Sequence, residues 1–154
     1  MLAAGVLALA GCATPDRRTY VTPGKEADSA SLSATSRRES LMSFEHYRLL
    51  ALDDGFHPRS AADVVKVDPG ARRTVVIVTF RNGFGTHVHD AVVSVNALLE
   101  KGGSYAINGK VEGVTVRAWV EETPSGRLVS NIGLGVGQVQ AQAGAPIPVL
   151  IPAR

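Results

Sequence analysis

Cysteine is nearly absent: the 154 residues hold one, Cys12, which excludes a disulfide framework within the chain. Aromatic residues are scarce too, at 5% of the chain, and the formal net charge is only +2. No basic run with interleaved aromatics exists, so nothing in the sequence points to nucleic acid. The longest apolar stretch at the N-terminus, Leu2 to Ala10, falls short of the about 20 residues a membrane-spanning helix needs. No charged residue precedes Asp16. Valine, alanine and glycine are abundant instead, a composition that suits a small β domain with many turns.

Residues 2–10 have the length of a signal-peptide apolar region, about 7–15 residues. They end in Leu9-Ala10-Gly11-Cys12. This ending resembles the lipobox of bacterial lipoproteins, where small residues precede an invariant cysteine. The resemblance implies a diacylglycerol on the Cys12 sulfur, cleavage before Cys12 and acylation of the new N-terminus. Several acyl chains give stable attachment where one gives only marginal binding. A usual signal carries Lys or Arg ahead of the apolar run, and here only the amino group stands there. Ala13 rather than aspartate follows the cysteine. By similarity to enterobacterial sorting, that implies the outer membrane, with the domain facing the periplasm or the cell surface.

The expected organisation is a signal at 1–11, a lipidated flexible tether at 12–43 and a β-sandwich domain at 44–154 with an extended C-terminal arm. Residues 13–43 are rich in Ser, Thr, Ala and charge, without sustained apolar periodicity, and such a stretch buries too little to offset its ordering entropy. The arginine pairs Arg17-Arg18 and Arg37-Arg38 read as solvated. Further on, HYRLLALDD (46–54), ADVVKV (62–67) and RTVVIVTFR (73–81) read as strands. The last is apolar on both faces and is placed centrally. Asp68-Pro69-Gly70 predicts a type II turn. Run 89–103 allows a helix face of Ala91, Val95, Leu98 and Leu99. Dense β-branching and the lack of an N-cap box favour a strand, with Ala91, Val93, Val95, Ala97 and Leu99 on one side. SYAINGKV (104–111) and VTVRAWVEE (114–122) follow, the latter with Val114, Val116, Ala118 and Val120 on one face. Thr123–Gly126 reads as a type I turn, and RLVSNI (127–132) as a strand returning antiparallel. IPVLI (147–151) contains Pro148, which restricts it to an edge strand or arm. About seven strands at this spacing read as an all-β, antiparallel sandwich. Its core is expected to hold Val76, Val78, Phe80, Val93, Val95, Val116, Ala118 and Val120.

YRLLALD (47–53), the Pro-Gly-x-Arg step at Pro69–Arg72, the valine-rich strand, the Gly-Gly-x-Tyr step at Gly102–Tyr105 and VRAWVEETPSGRLV (116–129) together carry a resemblance. The arrangement is similar to a diffuse set of uncharacterised proteobacterial outer-membrane lipoproteins, over about residues 47–130. The resemblance implies an immunoglobulin- or transthyretin-like sandwich and no activity. The chain departs from that pattern in DDGF at 53–56, in Ala71 within the turn and in its Gly/Ala/Pro-rich tail.

Several constellations invite chemistry. His87, His89 and Asp90 are weak metal candidates: on a strand the two histidines share a face, with His57 or Asp90 as a third ligand. No closed ligand set is legible, so no metal and no cofactor is expected. Asp53-Asp54 and Glu121-Glu122 are adjacent carboxylates, and adjacent strand residues point to opposite faces, which does not suit glycosidase chemistry. No Gly-x-Ser-x-Gly occurs. Gly133-Leu134-Gly135-Val136-Gly137 lacks the dinucleotide spacing, a following helix and a βαβ unit. It also lacks the apolar 20-mer of a membrane Gly-x-x-x-Gly interface. Trp119 lies opposite the valine face and is expected in a second core layer, with an exposed binding surface as the other reading. Trp119, Phe84 and His87 are the candidate interaction surface. The function expected is therefore not enzymatic: a lipid-anchored structural or accessory lipoprotein that binds an envelope protein. The alternatives are a periplasmic inhibitor or small-ligand module acting through the loop at 82–89, and a metal-binding lipoprotein using His87 and His89.

Overall fold

Alternating burial along each long strand is what makes two sheets pack. The computed structural model describes residues 19–53, 64–83 and 87–140. Among them the strands are β1 (Thr19–Tyr20), β2 (Ala30–Ser33), β3 (Thr35–Arg38), β4 (Phe44–Leu52), β5 (Val64–Val67), β6 (Gly70–Arg81), β7 (His89–Leu99), β8 (Ser104–Glu112), β9 (Thr115–Glu122), β10 (Gly133–Val136) and β11 (Gln138–Val139). No α-helix occurs among the described residues, only a 3-10 turn at Glu26–Asp28. A six-stranded sheet of order β1-β5-β2-β8-β9-β10 packs on a five-stranded sheet of order β11-β7-β6-β4-β3. The protein is an all-β sandwich, built mostly of antiparallel pairs.

β7 is a strand through its whole length, and from Ala91 to Leu99 every second residue is buried. The helix alternative for this run is thereby settled, because the inward set Ala91, Val93, Val95, Ala97, Leu99 needs a period of two. β6 is central, between β4 and β7, with Val76, Val78 and Phe80 facing inward. All eight residues expected in the core are buried. Tyr47, Leu52, Tyr105 and Ile107 join them. Val114, expected on the valine face, instead lies in the β8–β9 turn and is exposed. The turn at 123–126 contains a cis Thr123–Pro124 bond and is closed by the Gly126 amide donating to the Glu122 carbonyl at 2.8 Å.

Part of the stretch expected as a tether is folded. Residues 19–43 belong to the sandwich: Ala30 and Leu32 are core residues, and β2 pairs with both β5 and β8. The alternation Ala30-Ser31-Leu32-Ser33 is too brief to stand out in a Ser/Thr/Ala-rich stretch, and its partners lie more than 30 and 70 residues away. β2 and β3 are separated by one residue and lie in different sheets, so the chain crosses between sheets at Ala34 and closes one side seam. There the Thr35 hydroxyl and the Arg37 guanidinium donate to the carbonyls of Ile107 and Gly109, at 2.6 and 2.9 Å.

The C-terminal part closes the opposite seam. Segment 127–132 is not a continuous strand. It touches β9 through Leu128 opposite Glu121, then β7 through Ser130 opposite Ala97. β10 then pairs with β9, and β11 with the start of β7. These short pieces raise the strand number above the seven expected, because they finish sheets that the long strands leave open. Residues 1–11, read as a signal, Cys12 and IPVLI lie outside the described residues.

β1 is two residues long and needs more than its ladder to stay in place. The Thr22 hydroxyl donates to Asp68 Oδ2 at 2.6 Å, and the Thr22 amide donates to the same carboxylate. The Thr22 hydroxyl bond holds the Asp68 carboxyl below its ordinary value, helped by the Thr22 amide and by Arg72 and Lys25. A lowered folded-state value means a contribution present above the ordinary aspartate range and lost as pH falls through the lowered value. Asp68→Asn is therefore expected to be less stable than the parent at about pH 7, with the gap narrowing toward about pH 3. Urea melts across that range check it, and a gap that widens with acid would contradict the clamp.

Candidate functional site

The structure separates the residues of the His87–Asp90 motif. His89 lies at the inward edge of β7, stacked on Phe80 with ring centroids 5.3 Å apart, and its Nδ1 is buried without a hydrogen-bond partner. Asp90 faces the other way, accepting from Thr79 Oγ1 at 2.7 Å and from Gln140 Nε2 at 2.6 Å. His87 precedes the strand and is exposed. No group of three or more metal-ligating side chains exists among the described residues. His57, Asp54 and Phe84 lie outside the described residues.

Trp119 is half-buried on the outward face of β9 rather than in a second core layer, because no further layer covers that face among the described residues. Its indole N–H donates to Glu121 Oε2 at 2.8 Å, and Asn108 donates to Glu121 Oε1 at 2.9 Å. Glu121 is thus used as an acceptor for neighbours two residues and one strand away. Glu122 accepts from Arg127 at 3.2 Å and from Ser125 at 2.7 Å, and these bonds, Arg127 foremost, hold its carboxyl below the ordinary range. The pair does not form a site with two facing carboxylates.

The motifs that stand out in the sequence prove to be braces. Arg72 of the Pro-Gly-x-Arg step donates to the Asp68 and Pro69 carbonyls and to Asp53 Oδ2 at 3.0 Å, and lies 5.7 Å over the Tyr20 ring. One guanidinium thereby ties the β5–β6 turn to the end of β4 and to β1. In the Gly-Gly-x-Tyr step, the Tyr105 hydroxyl accepts the Glu100 amide at 2.7 Å. A Cβ on Gly103 would lie 2.4 Å from that oxygen, so the first position after the turn must be glycine. Tyr47 is buried, and its hydroxyl donates to Glu45 at 2.6 Å. Burial, reinforced by that bond, pushes its ionisation far above the ordinary range, so it stays protonated.

GLGVG has a packing role. A Cβ on Gly133 would sit 2.5 Å from Val93 Cγ1 and 2.6 Å from the Ser94 carbonyl oxygen. One on Gly135 would sit 2.8 Å from Val93 Cγ2, and one on Gly137 2.5 Å from Phe80. Every second residue is glycine so that the β10 backbone can lie against the edge of β7. The residues between them, Leu134 and Val136, point outward and are exposed, as are Leu128, Ile132 and Val139 nearby.

Two features lay beyond sequence reasoning. Ser36 Oγ and His46 Nδ1 meet at 2.8 Å, ten residues apart, because β3 and β4 pair at that position. They lie on an open sheet face with no facing acid among their bonds, so the pair is a surface hydrogen bond. An open groove of about 490 Å³ runs between the end of β7 and segment 127–131, bordered by Asn96, Leu98, Arg127 and Leu128. Its one cation, Arg127, is already bound to Glu122 and lies 3.7 Å from Glu100. No protein-family model, no curated protein and no solved structure matches the chain.

Proposed function

We propose that the chain is a lipid-anchored lipoprotein of the cell envelope whose sandwich binds another protein. The observation that supports a protein partner is the surface of the seam-closing segment. Residues 128–140 contain no charged side chain, and Leu128, Ile132, Leu134, Val136 and Val139 within it are all exposed. Leu98 of β7 borders the same groove as Leu128. Clustered exposed aliphatics mark interaction surfaces, and interface centres are depleted of charge. The partner that fits is an envelope protein presenting an uncharged, apolar surface.

The anchor and the partner are tested separately. Metabolic labelling with palmitate is expected to mark the parent chain and not Cys12→Ser, which should leave the membrane fraction. For the partner, a photo-crosslinking residue is placed in living cells at Leu134, at Val136, or at Lys66 on β5, four strands away in the same sheet. The reading requires one shared adduct from positions 134 and 136 and none from 66. Adducts at all three positions, or at Lys66 alone, would contradict it.

A further inference from the structure

Two of the four asparagines precede glycine, in the steps Asn82-Gly83 and Asn108-Gly109. In such a step the glycine nitrogen can approach the asparagine carboxamide with no Cβ of its own residue in the way. The two steps are alike in sequence, and the fold sets them in opposite surroundings.

Asn108-Gly109 lies within β8, and both residues are held. Asn108 Oδ1 accepts from the Arg37 guanidinium and from the Gly109 amide, the latter at 2.9 Å, while Asn108 Nδ2 donates to Glu121 Oε1 at 2.9 Å. An amide nitrogen attacks with the electrons above and below the peptide plane, at right angles to its N–H. With the Gly109 N–H aimed at Oδ1, those faces are turned away from the carboxamide carbon. Turning them toward it requires the Gly109 backbone to rotate. Gly109 is buried, lies opposite Ala118 in the β8–β9 ladder, and its carbonyl accepts from Arg37 at 2.9 Å. A Cβ at this position would collide with the Tyr47 ring and the Arg117 carbonyl, so the backbone is wedged.

Asn82-Gly83 follows β6, and both residues are exposed. One bond holds the side chain: Asn82 Nδ2 donates to the Gly113 carbonyl at 2.6 Å. The Gly83 amide donates to no partner among the described residues. Gly83 has a φ of +53°, and a Cβ built on it would meet nothing within 4 Å. The attacking residue therefore has room to turn.

We propose that Asn82 is a self-modifying site of the folded chain and that the fold protects Asn108. The Gly83 nitrogen bonds to Asn82 Cγ and gives up its proton. The Cγ–Nδ2 bond breaks, and ammonia leaves with that proton, closing a cyclic imide. Water then adds to either imide carbonyl and reopens the ring, giving aspartate from one side and isoaspartate from the other. One carboxamide and one water become one carboxylic acid and one ammonia, with no change of oxidation state. Either product loses the donor to Gly113 and sets carboxylate oxygens near that carbonyl. The tie between the end of β6 in one sheet and the β8–β9 turn of the other is then released.

The test incubates the folded, full-length chain in mildly alkaline heavy-oxygen water, digests it in ordinary water, and weighs the peptides that carry residues 82 and 108. Heavy oxygen is expected to enter at residue 82 at least about tenfold faster than at residue 108, the ratio that one hydrogen bond broken beforehand supplies. In urea-unfolded protein the two steps should react at similar rates, which assigns the difference to the fold. Fragmentation of the product should show isoaspartate at position 82. Gly83→Ala adds a Cβ to the attacking residue and should slow conversion at Asn82 several-fold. Equal rates at the two steps in the folded chain overturn the proposal, as does faster conversion at Asn108. It is also overturned if Asn82 stays intact over a time in which the unfolded chain reacts. Aspartate without isoaspartate, or a Gly83→Ala rate equal to the parent, would show direct hydrolysis without the imide and would refute the proposed route.

Discussion

Val116→Asp is expected to abolish the cooperative melt of the protein near room temperature, whereas Arg117→Asp, one residue along, melts close to the parent. Val116 is fully buried, and in its ladders it lies opposite Val111 on β8 and Gly135 on β10. A carboxylate there is removed from water with no partner, at a cost of several kcal/mol against a total stability of roughly 5–15 kcal/mol. Arg117 points the other way. Its side chain is half exposed and lies 3.6 Å from Glu112, whose closer partner is Lys110 at 2.9 Å. An exposed ion pair of this kind contributes about 0–1 kcal/mol. Aspartate at 117 would also lie opposite Lys110, which offsets part of the loss. Thermal melts of the two variants beside the parent check the contrast. Equal damage from both would mean that β9 does not alternate inward and outward.

The second large effect is expected at Gly133. Even Gly133→Ala places a methyl carbon 2.6 Å from the Ser94 carbonyl oxygen and within 3 Å of Val93 and Val95. Two of those contacts are to buried side chains and one is to backbone, and none can move aside cheaply. Overpacking of this kind costs about 1–3 kcal/mol, and the backbone contact puts Gly133→Ala at the upper end of that range. The strain is relieved by lifting β10 off β7, which uncovers Val93 and Val95. Leu134→Ser, at the neighbouring outward position, is expected to change stability by no more than about 0.5 kcal/mol, because Leu134 is exposed. Urea titration of both variants measures the difference. A Gly133→Ala protein as stable as the parent would show that β10 does not pack closely on β7.

Period-two patterns made the long strands legible. β7 and β9 carry enough alternation to fix which face is inward, and the eight core residues expected on β6, β7 and β9 are all buried. The same rule read Trp119 correctly as opposite the valines. Where that face lies is a tertiary matter: with no third layer among the described residues, Trp119 is half-buried and bonds to Glu121. The short strands were not legible. β2 contributes only Ala30 and Leu32 to the core, and two inward residues make no pattern against a polar background. The acceptors of its side of the sheet come from β5 and β8.

The candidate site divides in the same way. His87, His89 and Asp90 are adjacent in sequence, and a strand separates what adjacency brings together: His89 turns in against Phe80 and Asp90 turns out toward Thr79. Ser36 and His46 show the reverse, being joined by a ladder and by nothing in their spacing.

By itself the sequence determined the fold class, the inward faces of the long strands and the turn positions. These depend on local alternation, backbone φ and residue volume, all of which act over a few neighbouring residues. Only the tertiary structure decided that residues 19–38 belong to the sandwich and that the glycines of 133–137 lie in contact with β7. Each of those depends on which distant strand supplies the missing hydrogen bonds or van der Waals surface. No local pattern encodes that choice, because it is made by the whole chain at once when two sheets close on a common core.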